Sequence, residues 1–283
     1  MMQSQARKRM KKMIQHLVMI LFTCIMIYPL VWMVSSSLKE SSSVFIDAHT
    51  LIPDVLHFEN YINGWKGFAG ISFGTFFKNS FIITIIATVG SILSSTIIAY
   101  GFARLKFKGK NIWFVCMMLT MMLPFEMVMI PQYIMFNQFG WIDTYLPLIL
   151  PTFFGIPFFI FLIMQFIRTI PRELDEAAKI DGCSNIGIFT RIIVPLVVPA
   201  MMTATIFSFY WRWDDFMGPL IYLSTPEKYP VSLALKLFSD PNSVTNWGAM
   251  FAMSTLSIVP IFVIFFFFQR YIVDGISTSG LKS

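Results

Sequence analysis

Four charged side chains lie at depth within long apolar stretches of this chain: Glu126 in one, and Arg212, Asp214 and Asp215 in another. On a continuous helix Arg212 and Asp215, three residues apart, share a face while Asp214 points elsewhere. Glu126 lies about fourteen residues, ~21 Å, from the basic end of its stretch, a depth comparable to that of Arg212. A charge at the centre of a lipid-spanning helix costs roughly 2.5–3.5 kcal/mol on insertion scales. The expectation is therefore an internal pair, Arg212 with Asp215 and joined by Glu126, facing protein or a water-lined path. Trp211 and Trp213 present aromatic faces that suit pyranose rings, although Trp near a bilayer surface also serves as an interface anchor. Other chemistry finds less support. His16, His49 and His57 have no second ligand at zinc spacing, Cys24, Cys116 and Cys183 form no pairing or ligand pattern, and no G-x-x-x-x-G-K-[ST] loop is present to cradle phosphates.

A second constellation is polar. Residues Glu176 to Pro195, EAAKIDGCSNIGIFTRIIVP, lie between two apolar runs. Pro171 can start a helix, Arg172 to Ile180 suit its continuation, and Gly182, just after Asp181, can end it in a left-handed conformation that only glycine adopts cheaply. Ser184 can then cap a second short helix through Arg191. Glu173 and Glu176 share a face, and Ala177 and Ala178 leave little side chain between the backbone and a partner. An acid-bearing ridge of small residues suits a socket. The competing reading, a helix resting on lipid head groups, is opposed by the acidic run Glu173, Asp175 and Glu176, which anionic lipid would repel.

The elements that must position these groups are membrane helices. Of 283 residues, 56% are hydrophobic and only 13% charged, which departs from soluble domains and indicates an all-α integral membrane protein. Six runs are long enough to cross ~30 Å of hydrocarbon: about 15–37, 79–103, 112–136, 146–167, 199–222 and 248–270, in a single transmembrane domain over 1–283, with the polar loop at 168–198. The net charge of +6 does not point to nucleic acid, because Lys and Arg cluster at the ends of apolar runs. Arg7 to Lys12, Arg104 to Lys110, and Arg168 to Arg191 alternate with basic-poor connections. The positive-inside rule then puts both termini and the polar loop in the cytoplasm, and 38–78 and 223–247 outside. The basic start resembles a signal peptide, but its apolar run is long and lacks a small-x-small cleavage site. Within the second run Ala87, Ser91 and Ser95 recur every four residues, as do Gly90 and Ser94, a spacing that lets helix backbones approach closely in lipid. Pro124 and Pro131 interrupt the third run, and Pro147, Pro151 and Pro157 the fourth.

The spacing Glu-Ala-Ala, three residues, Gly, nine residues, Ile-x-Leu-Pro resembles the signature loop of binding-protein-dependent ABC importer permeases. Glu176, Ala177, Ala178, Gly182, Ile192 and Pro195 match, and Val194 replaces the Leu. The order of spans, the stretch WRWDDFMGPLIYL from Trp211 and the tail from Gly275 are similar to the carbohydrate-uptake branch. Trp213, Asp214, Asp215 and Phe216 stand for the usual Trp-Asn-Asp-Phe, with Asp in place of Asn, and the tail keeps only Gly280 and Lys282 of its usual ending.

The resemblance implies a type I ABC importer permease fold of six spans in a bacterial cell membrane. One such chain would form half of a pore for a sugar, an oligosaccharide, with a homologous second permease. It also implies two ATPase subunits that bind ATP and Mg and dock at the loop, with Glu176 in their cleft and Gly182 at the bend, and an external solute-binding protein met by the 223–247 connection. No cofactor is expected in this chain. A secondary transporter would carry its own coupling-ion site and usually a repeated architecture, and it would have no need of an acidic knob. An importer of a non-sugar solute is the other alternative. A membrane enzyme would require a nucleophile and base, or metal ligands, at matching depth.

Overall fold

The computed structural model describes residues 2–68, 70–237 and 246–280, the side chains of 2–8 and 272–280 excepted. All described regular structure is helical. In chain order the helices are α1 (Met2–Ser36), α2 (Glu59–Trp65), α3 (Phe73–Arg104), α4 (Lys110–Thr120), α5 (Phe125–Gln138), α6 (Leu146–Ile149), α7 (Pro157–Thr169), α8 (Glu173–Ile180), α9 (Asn185–Ile188), α10 (Val194–Trp213), α11 (Met217–Tyr222), α12 (Val231–Leu237) and α13 (Trp247–Gly280). Among the described residues five helical stretches are long and apolar enough to cross a membrane, and α4 with α5 makes a sixth if that bent pair is one span. The chain separates into two compact units, residues 1–73 with 235–258, and residues 74–234 with 259–283.

In the first unit α1 carries apolar residues on every side, and Leu17, Phe22 and Met26 are all exposed. A helix apolar all round is built for lipid or for another protein. Where α1 ends, Asn60 of α2 donates to the Ser37 and Lys39 carbonyls at 2.9 and 2.7 Å, satisfying groups the terminating helix leaves free. Phe251 meets Trp32 and Phe45 edge-on, with Trp32 to Phe251 centroids 5.3 Å apart.

In the second unit α3, α7 and α10 pack around Ile92, Ala99, Phe159, Ile163, Ile167, Val197 and Ala204. The small-residue seam of α3 is what admits the neighbours. Ala87, Ser91 and Ser95 are fully buried, and a Cβ on Gly90 would stand 2.4 Å from the Phe153 ring. Ser91 and Ser208 hydroxyls pair at 3.0 Å across α3 and α10. The fourth span breaks at Gly155, which has a φ of +87°. The Ile156 amide freed by that break donates to Ser95 Oγ at 3.1 Å. A broken helix at membrane depth is thus repaired by the neighbouring seam.

Two expected spans differ in course. The 112–136 run is two helices meeting at 99°, because Met121 to Pro124 leave the helix and Pro124, extended, starts α5 afresh. The expected 199–222 run instead starts at Asn185 and ends at Trp213, with a break at Asp214 to Phe216 before α11. The polar-to-apolar border near Ile192 is a change of side chain and does not interrupt the backbone.

Candidate functional site

The polar loop has a defined shape. The α8 helix closes with two bonds, Gly182 N to the Lys179 carbonyl at 3.0 Å and Cys183 N to the Ala178 carbonyl at 2.9 Å, around Gly182 at φ +82°. This paired closure needs a left-handed residue at the bend, and glycine takes it without a Cβ penalty. Ser184 Oγ then accepts the Gly187 amide at 3.2 Å and starts α9. The second helix does not stop at Arg191, as expected from sequence. It passes through a wide π turn over Phe189–Ile193 directly into α10. Pro195 follows that turn, and a proline ring crowds the carbonyl four residues back, here Arg191, which the wider turn accommodates. The loop is continuous with a membrane span.

On α8 Asp175 and Ala178 face inward, whereas Glu176, Ala177, Asp181 and Gly182 are exposed. Of the two small residues expected on one outer ridge, only Ala177 is there; Ala178 packs in the core. Leu174 and Ile180 join Glu176 on the exposed side, and Ile180 is 87% exposed. Behind the helix, Arg104 Nε lies 2.9 Å from Asp175 Oδ2, with the side chains only 5% and 11% exposed. Arg104 Nη2 donates to the Ile170 carbonyl at 2.7 Å, and Tyr100 Oη donates to the Asn185 carbonyl at 3.2 Å. The end of α3 therefore holds both arms of the loop. Sequence reading missed this: Arg104 counted only as an orientation charge and Asp175 only as a surface acid. The available signal was that Asp175 and Ala178, three apart, share a face that an apolar partner would cover.

At the other end of α3, Asn79 Nδ2 donates to the Glu227 and Tyr229 carbonyls at 2.8 and 3.0 Å. Nearby, Asp143 adopts φ +60° and gathers the segment after α11. Its carboxylate accepts the Ser224 and Thr225 amides, each at 3.0 Å, the Thr225 hydroxyl at 2.5 Å and Lys228 Nζ at 2.7 Å. The Lys228 ammonium, then the Thr225 hydroxyl, hold the Asp143 carboxyl well below the usual carboxylate range.

A cavity of about 390 Å³ lies between α5, the broken fourth span and the α10–α11 break. Gln132, Thr152, Trp211, Arg212, Asp215 and Tyr222 supply its polar and aromatic lining. The sequence expectation for these groups is corrected in three respects. Arg212 and Asp215 do not share a helix face, since α10 ends at Trp213 and Asp215 turns Oδ1 to the Gly218 amide at 3.0 Å to start α11. The ion pairs among the described residues are Arg104 with Asp175 and Lys228 with Asp143, so Arg212 and Asp215 share a cavity rather than a bridge. Glu126 is exposed in the first turn of α5 and does not line the cavity, because the 99° bend redirects that helix. Trp213 is 4% exposed, stacked on Phe209 at 5.6 Å and edge-on to Phe81 at 4.9 Å, which makes it core. Trp211 alone of the two lines the cavity, braced on Phe159 at 5.3 Å. The expected outer connection 223–247 falls partly outside the described residues, as does the end of the tail.

A helical membrane unit with a polar loop continuous with one span, and a cavity at broken helices, has the architecture of a membrane transport component. The chain belongs to the family described as binding-protein-dependent transport system inner membrane component, whose model matches residues 91–278. It is 36% identical over 256 residues to the probable ABC transporter permease protein YurM of Bacillus subtilis strain 168, covering 90% of this chain and 83% of that protein. It is 33% identical to the arabinooligosaccharides transport system permease protein AraQ of Halalkalibacterium halodurans, with 91% and 92% covered, and 29% identical to the diacetylchitobiose uptake system permease protein NgcG of Streptomyces coelicolor, with 95% and 88% covered. The fold matches a solved bacterial ABC transporter involved in the import of the acidic polysaccharide alginate, with a TM-score of 0.81 at 21% identity over 93% of this chain and 96% of that one. It is the permease fold of an ABC importer, in a multi-pass membrane protein.

Proposed function

We propose that this chain is one permease subunit of an ATP-driven sugar importer with an oligosaccharide as cargo. It forms half of the translocation path with a homologous permease and is driven by two cytoplasmic ATPase subunits. The observation that carries the reading is the loop itself: Glu176, Ala177 and Asp181 project from a short helix whose back is fastened to α3 through Arg104 and Asp175. A rigid, exposed ridge, fastened to α3 and joined through the Gly182 bend and α9 to α10, transmits a push from a docked motor to the membrane helices. The distribution of Lys and Arg supports a cytoplasmic loop and cytoplasmic termini. That AraQ is named for arabinooligosaccharide transport and NgcG for diacetylchitobiose uptake supports a saccharide cargo. The all-round apolar α1 supports a second membrane subunit. The Asp143 and Lys228 end would then face an external solute-binding protein, and the cavity at Trp211, Arg212 and Asp215 would meet cargo in transit.

The test is reconstitution with the ATPase subunits, partner permease and binding protein. Glu176→Lys should abolish binding-protein-stimulated ATP hydrolysis and transport while the spans remain inserted. Transport without any ATPase would overturn the mechanism.

A further inference from the structure

Beside the coupling loop, Lys110 at the start of α4, Arg168 at the end of α7 and Arg172 just before α8 converge on a cavity of about 600 Å³. Arg168 and Arg172 are both within Coulomb reach of the Lys110 ammonium. Arg104, a fourth cation on the wall, is neutralised by Asp175. Lys110 donates to the Leu105 carbonyl at 3.0 Å, which leaves two of its three N–H bonds to offer. The one carboxylate lining the space is Glu173, exposed on α8, and neither described ion pair involves it. Three cations thus face a common space against one acid. Arg168 and Arg172 are exposed, and three like charges grouped about one space favour an anion among them.

The setting of this cavity identifies the anion. Lys110 and Arg168 sit at the ends of membrane-spanning helices, where head groups lie. From Lys110 onward α4 has no buried residue, and Ile112, Val115 and Leu119, at helical spacing, are 70%, 54% and 57% exposed. Trp113, 63% exposed, stands one turn inside, at the depth where an indole favours a bilayer interface. A basic cradle above a lipid-exposed apolar face matches an amphiphile with an anionic head. Basic pockets between helix ends of this kind hold phospholipid head groups.

We propose that Lys110, Arg168 and Arg172 bind the phosphate of an anionic phospholipid from the leaflet on the loop side, and that the bound head group braces the base of α8. Arg172 directly precedes that helix and Glu173 begins it, so occupancy sets how firmly the docking ridge is held. The regulatory consequence rests on the proposed coupling role of the loop; the lipid site does not.

The complete transporter would be placed in nanodiscs of phosphatidylcholine with increasing phosphatidylglycerol. Retained phosphatidylglycerol would be counted by native mass spectrometry, and binding-protein-stimulated ATP hydrolysis measured in parallel. Each of Lys110→Gln, Arg168→Gln and Arg172→Gln should lower retention about fivefold, and the triple variant should lose the rise in hydrolysis that the wild type shows with phosphatidylglycerol. Lys106→Gln with Lys108→Gln, which removes loop charge outside this cavity, should leave retention unchanged. Equal retention in wild type and triple variant would overturn the site, as would equal loss in the Lys106 and Lys108 control. So would full occupancy by inorganic phosphate in discs of phosphatidylcholine alone, or loss of the ATPase subunits from the triple variant with lipid retention intact. Retention is read without transport, so the Glu176→Lys result and the lipid result fail independently.

Discussion

The two ends of α3 solve the same problem in opposite ways. Each fastens a connecting segment to the 32-residue helix that runs between them, over roughly 37 Å from Asn79 to Arg104 at 1.5 Å per residue. At one end a nearly dry ion pair, Arg104 with Asp175, fixes α8, beside the Arg104 and Tyr100 bonds to the Ile170 and Asn185 carbonyls. At the other, Asn79 of α3 donates to the Glu227 and Tyr229 carbonyls, and Asp143, from the connection after α5, gathers the same segment through two amides, a hydroxyl and an ammonium, with Lys228 40% exposed. The first is geometrically unique and intolerant of the loss of either partner. The second is redundant and wet. The difference fits the proposed roles, since a segment pushed by a motor must not slip, whereas one that meets an external protein needs only to be held in place.

The largest expected effect follows from breaking the dry pair. Asp175→Leu leaves the buried Arg104 guanidinium uncompensated and should destabilise the fold by roughly 3–5 kcal/mol, with the double variant Arg104→Met, Asp175→Leu recovering much of that loss. Thermal unfolding in detergent, with protease cleavage at the exposed Lys179, would read both. A loss no greater than that from Lys228→Met would erase the contrast between the two ends. Next, Asp143→Ala frees two amides and a hydroxyl that water can partly satisfy, so its cost should be smaller, about 1–3 kcal/mol, visible as faster tryptic cleavage after Lys228. Lys228→Met, which removes that cleavage site and is read with Asp143→Ala by thermal unfolding, should cost roughly 0.2–1 kcal/mol, since an exposed pair contributes little once screened. An effect as large as that of Asp143→Ala would show the lysine, rather than the amides, to hold the segment.

The smallest effect concerns pH and sharpens the wet end. The Asp143 carboxyl is depressed in the folded state. Its contribution is therefore fully present above the ordinary Asp pKa of about 3.9 and is lost as pH falls below that value through the depressed folded one. Cleavage after Lys228, measured at pH 4.5 and at pH 7 and scaled by the protease's rate on an unstructured peptide at each pH, should proceed at the same rate. A several-fold increase at pH 4.5 would mean that the carboxylate is not held as the geometry indicates.

Much of the site was legible from residue order because local chemistry specifies it. Gly182 at the bend and Ser184 at the cap each act within a few residues of themselves, so their types and spacing suffice. The small-residue seam of α3 was equally readable, though the Ser95 bond to the Ile156 amide required knowing where the fourth span breaks. The ionisable groups at depth were misplaced for one reason. The Arg212 and Asp215 pairing assumed a helix through Trp213 to Phe216, and the turn at Asp214, where Asp215 prefers its own backbone, removes the shared face. Glu126 was displaced in the same manner by the bend before Pro124.

Composition, apolar run length and the placement of Lys and Arg determined a membrane protein of about six spans, and the loop spacing determined its family, because hydrophobic length and turn chemistry are properties of short segments. Only the tertiary structure decided that Trp213 is core while Trp211 lines a cavity, and that Asp175 is a buried anchor while Glu176 stands free. Neighbours in sequence point to different sides of a helix, and which side is covered depends on elements tens of residues away.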